Sequence, residues 1–288
     1  MGRRCTLVDV FAERAFRGNP VAVVHDAEGL DEAAMLAITR WFDLSETAFL
    51  LAPTRPEADY RVRIFTPAAE LPFAGHPTLG TCRAFLHAGG RPRRAVEVVQ
   101  ECGAGLVTVR VGDGNALAFA APPRNRGGPI DEPTIRELAG VLRVARDAIV
   151  DAAWADNGPR WAAVLLASAD AVLALEPARE HHRPVFVGAI GPYASADASA
   201  HADGLAYEVR TFFSDQHGAL REDPVTGSFN GSAAQWMLST GRVSAPFVAG
   251  QGQRLGRDGR VPIDVDEDGT VWVGGSARVI VDGAMLVG

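Results

Sequence analysis

Polar and apolar positions alternate over Thr6-Leu7-Val8-Asp9-Val10-Phe11, the period of a half-buried strand. Gly18-Asn19-Pro20 then turns the chain into a second apolar run, Val21 to Val24. From Asp31, a residue suited to a helix cap, the period lengthens, and Met35, Ile38 and Phe42 fall on one helical face. Strands are expected at 44–51, 60–65, 96–100, 105–111 and 116–120, and a helix over Thr78 to His87, closed by Gly89-Gly90. Within 44–51, alternation places Leu44, Glu46, Ala48 and Leu50 on one face, so a carboxylate shares a row with apolar side chains. The Pro- and Gly-rich run 121–129 reads as a linker. Beyond it the pattern predicts a helix over 135–142, strands at 161–166, 184–189 and 205–213, and a helix from Ser228 to Ser239 stopped by Gly241. Short strands with one strong helix in each half point to an α+β fold with mostly antiparallel sheets.

The halves align at an offset of 152: Gly75 falls on Gly227, His76 on Ser228, Leu86 on Leu238 and Gly89 on Gly241. Upstream, Arg63-Ile64-Phe65-Thr66 faces Arg210-Thr211-Phe212-Phe213 after a five-residue slip. Each half offers a strand, a turn-rich loop and a Gly-ended helix, the mark of a duplicated unit. The expected domains are 1–121 and 130–288, with the last strand, about 277–288, available to the first domain.

Composition narrows the chemistry. The chain has 28 basic and 35 acidic side chains for a net charge of −7, so no basic field exists to hold nucleic acid. All 28 basic residues are Arg, which removes lysine Schiff-base chemistry and the phosphate-binding lysine of nucleotide loops. Cys5, Cys82 and Cys102 form no CxxC pair and suit a reducing cytoplasm. Gly2 and Thr6 match a loose myristoylation pattern, but the same residues lead into the first strand. Asp9 and Glu13 interrupt any leader-like apolar run, and no apolar stretch is long enough to span a membrane. The seven histidines, including the adjacent His181-His182, show no HExxH or Cys/His ligand spacing, so no metal is expected. Gly112-Asp113-Gly114 and Gly250-Gln251-Gly252 fail the dinucleotide fingerprint, and no Gly-x-Ser-x-Gly elbow occurs. The expectation is a reaction without a cofactor.

Candidate chemistry gathers at the two helix starts. Gly75-His76-Pro77-Thr78 puts Pro in a first turn, and Thr226-Gly227-Ser228 leaves small side chains and free amides at the other. Such ends attract small anions, and two of them in a duplicated fold suit a small carboxylate-bearing molecule. The helix dipole favours neutral imidazole at His76. Asp223 precedes the second start, where Asp is also a routine turn residue. Glu46, if partly desolvated, is able to exchange a proton near neutral pH; it is equally a strand-end Glu bonded to solvent or an amide.

Four segments carry a resemblance: Gly18-Asn19-Pro20-Val21-Ala22-Val23, Leu44-Ser45-Glu46-Thr47-Ala48-Phe49, Leu71-Pro72-Phe73-Ala74-Gly75-His76-Pro77-Thr78 and Glu222-Asp223-Pro224-Val225-Thr226-Gly227-Ser228. With Gln251-Gly252, Leu255-Gly256-Arg257 and Val273-Gly274-Gly275-Ser276-Ala277, they resemble the PhzF-like phenazine-biosynthesis isomerase family over essentially the whole chain. The resemblance implies a diaminopimelate epimerase-like fold: two similar domains, each a twisted, mostly antiparallel sheet around a central helix, with the active site between them. It implies an isomerase of the trans-2,3-dihydro-3-hydroxyanthranilate type, cofactor-free and homodimeric. Glu46 matches the family's proton shuttle, and His76 and Asp223 match its polar partners. Gly75, Gly227 and Ser228 match the substrate-receiving helix starts, and Asn19 a cleft asparagine. Phe229-Asn230 departs from the small residues expected after Ser228, and the bulkier ring is expected to reshape the pocket. Two rivals remain: a non-catalytic binding or scaffolding protein on the same fold, and a two-thiol racemase or epimerase. The latter needs a thiol at each helix start, where this chain has Ala74 or Gly75 and Thr226.

Overall fold

The computed structural model describes residues 2–194, 204–215 and 217–286. Among them are sixteen strands and five α-helices in a sheet-rich α+β fold. The chain divides into two compact units, residues 1–120 with 274–288, and residues 121–273. No helix among the described residues is long and apolar enough to cross a membrane.

In the first unit, β1 (Gly2–Val10) is antiparallel to β2 (Asn19–Val24). After α1 (Glu32–Phe42), β3 (Thr47–Leu51) lies parallel to β2 and antiparallel to β4 (Tyr60–Phe65). The short β5 (Glu70–Leu71) folds back on β4 and leads into α2 (Gly75–His87). Next, β6 (Glu97–Cys102) runs parallel to β4, and β7 (Gly105–Val111) and β8 (Ala116–Ala120) follow as antiparallel neighbours. Helix α2 lies against β1, β2, β3, β6, β7 and β8. Gly80 permits the close approach, since a Cβ there would sit 2.3 Å from Val21 Cγ1. Helix α1, capped by Asp31 as expected, packs Met35 against Val24, Phe49 and Phe65.

The second unit opens with α3 (Glu132–Leu142), capped by the Asp131 side chain, then β9 (Ile149–Trp154) antiparallel to β10 (Ala162–Leu166). After α4 (Ala169–Leu173), β11 (Phe186–Pro192) lies parallel to β10 and antiparallel to β12 (Leu205–Ser214). The short β13 (Leu220–Asp223) folds back on β12 and leads into α5 (Gly227–Ser239). Then β14 (Phe247–Gln251) runs parallel to β12, and β15 (Gly259–Val265) and the start of β16 (Val271–Leu286) are antiparallel neighbours. The later residues of β16 belong to the first unit and pair with β1 from Ala277↔Val10 to Leu286↔Gly2.

Both units show one succession of senses: antiparallel, parallel, antiparallel, parallel, then two antiparallel pairings, with a two-residue strand before α2 and a four-residue strand before α5. Helices α2 and α5 each have 13 residues and start 152 positions apart. Their ends match as well. Gly89 (φ 88°) donates to Leu86 and Gly90 to Phe85; Gly241 (φ 67°) donates to Leu238 and Arg242 to Met237. The two glycines take the left-handed conformation that closes a helix at little steric cost.

Candidate functional site

Two polar clusters form at the starts of α2 and α5, one in each unit. Neither helix has a side-chain cap or an acidic residue in its first turn. Their first amides therefore keep their pull on anions.

In the first unit Asn19, the first residue of β2, is fully buried, and its Nδ2 lies 3.4 Å from His76 Nδ1. The loop before it is fixed by Asp9, whose carboxylate accepts from the Arg17 and Gly18 amides. Gly18 is required there, because a Cβ would lie 2.0 Å from the Val10 carbonyl oxygen. His76 is 3% exposed, and its Nε2 faces Glu46 Oε2 at 3.5 Å. The structure thus brings Asn19, Glu46, Gly75 and His76 together.

Glu46 reaches this cluster differently from the expected strand row. The strand begins at Thr47, and Glu46 is the residue between the bend at Leu44-Ser45 and that strand. The ladder to β4 starts with Thr47↔Phe65, beyond which Thr66 accepts from the Ala68 and Ala69 amides in a turn. Thr47, Ala48 and Phe49 are all buried, so alternation marks no apolar face here. Glu46 is shielded at a strand mouth, with its side chain 15% exposed.

Burial pushes the His76 imidazole down to about 3 from 6.5, with a bond to the Pro20 backbone opposing weakly. Burial thus keeps the ring neutral near neutral pH, where its contact with Glu46 is not an ion pair. Since the unfolded chain protonates this ring below 6.5, stability falls as pH drops from 6.5 toward 3. His76→Asn is expected to flatten that dependence by one proton, about 1.4 kcal/mol per pH unit. Urea midpoints measured through this window check it; equal slopes in the two proteins would contradict it.

In the second unit Asp223 ends β13 and is buried. Thr226 Oγ1 donates to Asp223 Oδ2 at 2.5 Å, and lies 2.6 Å from Thr211 Oγ1 and 3.1 Å from Gln251 Nε2. Since the Thr226 proton goes to Asp223, Thr211 donates to Thr226. Gln251 Oε1 accepts from the Thr226 amide and Asn230 Nδ2, while Nε2 also donates to Thr211 and the Asp223 carbonyl. Of these bonds the one from Thr226 Oγ1 ends on the Asp223 carboxylate, and the Thr211 and Gln251 donors in turn fix the Thr226 hydroxyl that makes it. Gly227 and Ser228 follow as the first residues of α5, and Ser228 Oγ accepts from the Trp161 indole at 3.3 Å. The second cluster thus holds Asp223, Gly227 and Ser228.

The family model for PhzC-PhzF, described as phenazine biosynthesis-like protein, matches residues 8–283. The chain belongs to the PhzC-PhzF family. It is 33% identical to "Antisense-enhancing sequence 1" of Schizosaccharomyces pombe, with 97% of each chain covered. It is 34% identical to "Trans-2,3-dihydro-3-hydroxyanthranilate isomerase" of Pseudomonas fluorescens, over 87% of this chain and 86% of that one. Its fold is similar to the crystal structure of the Bacillus anthracis PhzF-family protein, with a TM-score of 0.80, 22% identity and full coverage of both chains.

One sequence expectation for this PhzC-PhzF chain is corrected. Phe229 does not project beside Ser228 to reshape a pocket. Its ring is fully buried in the second unit, edge-on to Trp161 with centroids 5.6 Å apart. Gly188 makes the room: a Cβ there would lie 2.1 Å from the tip of the ring. Asn230 is a network member, bonded to Gln251 and to the Thr226 carbonyl. The sequence reading missed Thr211 and Thr226 as partners of Asp223, and took Gln251 only as a family segment. The register of β12 against β14, Val209↔Gln251, brings these distant residues together. The thiols do not suit a racemase: burial pushes Cys82 up to about 12 and Cys5 up to about 11, and the second half contains no cysteine.

Proposed function

We propose that this protein is a cofactor-independent isomerase that moves a proton and a double bond in a small carboxylate-bearing substrate. The observation that carries the reading is the Glu46–His76 pair, 3.5 Å apart, with side chains 15% and 3% exposed, beside a helix start without a cap. In the proposed reaction the Glu46 carboxylate takes a proton from one substrate carbon, the electron pair shifts the double bond, and the carboxylic acid returns the proton to another carbon. Neutral His76 and the Asp223 side chain hold polar substituents, while Asn19 and the starts of α2 and α5 (Gly75, Gly227 and Ser228) receive the substrate. Thr226 acts as a positioning residue through Asp223. The name of the P. fluorescens relative gives the substrate to try first, trans-2,3-dihydro-3-hydroxyanthranilate.

The test is turnover of that compound and of related cyclic carboxylates by the purified protein. Turnover is expected to persist in chelator and without added nucleotide; loss restored by zinc would overturn the cofactor-free mechanism. Asp223→Ala is expected to weaken binding and rate together. Thr226→Val is expected to lower kcat per folded molecule while KM stays near the wild-type value, since Asp223 loses the hydrogen bond that orients it. An unchanged kcat would reduce Thr226 to a structural role.

A second reading follows from the S. pombe relative, whose name is not that of an isomerase. On that reading the chain is a binding or scaffolding protein that binds such carboxylates and returns them unchanged. The three thiols are free, which fits a cytoplasmic protein. The homodimer expected of the family is checked by light scattering.

A further inference from the structure

We propose that Glu137, His181 and His182 form a binding site for a divalent transition-metal ion of the zinc type. Their ligand atoms all lie within 4.8 Å of one another. Glu137 Oε1 and His181 Nε2 are 3.5 Å apart, close to the roughly 3.3 Å edge of a tetrahedron built with Zn–N and Zn–O bonds near 2.0–2.1 Å. Closing the His182 nitrogen onto the same centre takes a side-chain movement of up to about 1.5 Å, and His182 is exposed.

The outer contacts of His181 suit a metal ligand. Its Nδ1 lies 3.0 Å from the Arg183 carbonyl oxygen and 3.4 Å from the Arg183 amide. With the amide as partner Nδ1 accepts and Nε2–H donates to Glu137; with the carbonyl as partner Nδ1 carries the proton and the Nε2 lone pair faces Glu137. A bound ion selects the second arrangement, an Nδ1–H on a backbone carbonyl with Nε2 toward the metal, which is how ligating histidines are oriented. Arg183 binds the other Glu137 oxygen, Oε2, at 2.6 Å, and so stands as an outer partner of the carboxylate.

The three side chains are mounted on fixed backbone. Glu137 projects from α3, whose buried face carries Ile135, Leu138 and Leu142. The histidine loop is tied to that helix by the Ala178 amide on the Val141 carbonyl, 2.8 Å. It is tied to the turn before β13 by the Glu180↔Ala219 bridge and by the Leu220 amide on the Arg179 carbonyl. The adjacent imidazoles both turn to one side, with centroids 4.2 Å apart. No sequence spacing announces the site, because Glu137 lies 44 residues before His181 and only the fold joins them.

The chemistry selects the ion. Two imidazoles and one carboxylate suit Zn2+, Cu2+ or Ni2+, and not Mg2+, which demands six oxygen ligands. Isothermal titration of the whole protein with Zn2+ is expected to show one site per chain, weakened at least about tenfold in His182→Ala and again in Glu137→Gln. His182 is exposed, and circular dichroism of both variants checks that the fold survives the loss of the charge that Glu137 offers Arg183. Bound zinc is expected to raise the melting temperature by joining α3 to the histidine loop, an effect lost in His182→Ala; Mg2+ is expected to do neither. Zinc binding with equal affinity in wild type and both variants would overturn the proposal, as would the absence of binding. Turnover in chelator reads the proposed isomerase chemistry separately, because none of these three residues belongs to it.

Discussion

Glu46→Gln is expected to fold and to bind substrate while losing turnover by about 10²–10⁴-fold. The amide keeps the size of the carboxyl group and its reach toward His76, but it neither takes nor returns a proton. A Glu serving only to finish the bend before β3 would behave in the opposite way: its loss would lower stability and leave kcat per folded molecule unchanged. Stopped-assay kinetics at matched folded concentration separate the two. Binding of an unreactive carboxylate analogue checks that the substrate site survives. A fall in kcat with KM near the wild-type value is the expected pattern.

The largest effect on stability is expected at Phe229. Truncation to Ala removes a fully buried ring that packs on Trp161 and over Gly188. Such truncations cost about 3–5 kcal/mol, against a total stability of roughly 5–15 kcal/mol for a typical domain. Phe229→Ala is therefore expected to unfold at much lower urea, and Phe229→Leu to lie between it and wild type. In folded Phe229→Leu, KM is expected to stay at the wild-type value, because the ring supports the core beneath the helix start. A shifted KM with unchanged stability would return Phe229 to the pocket wall.

The helices that bear the candidate site were legible because their signals are local. Gly89 and Gly241 stop helices of one length, and Pro77 marks a first turn, so the offset of 152 shows without any tertiary information. The neutral state of His76 was expected from the dipole of a helix start, whereas its cause in the structure is burial, which the sequence did not show. What lay beyond reading depends on pairing between distant segments. Where β3 begins is set by where β4 ends, which moved Glu46 from a strand face to a strand mouth. Phe229 finds its space only because Gly188, 41 residues earlier, lacks a side chain. The network on Asp223 needs Gln251, which the β12–β14 register delivers. Strands β9, β14 and β15 and the short helix α4 went unread.

Turnover of a competent substrate in deuterated water tests the proton shuttle most directly. With wild-type protein, mass and NMR analysis of the product is expected to show at most one deuteron at the carbon that receives the proton, and none at other positions. With folded Glu46→Gln, label and product are expected to fall together by about 10²–10⁴-fold. Label appearing at that carbon at the wild-type rate in Glu46→Gln would contradict the shuttle and assign the proton to another group.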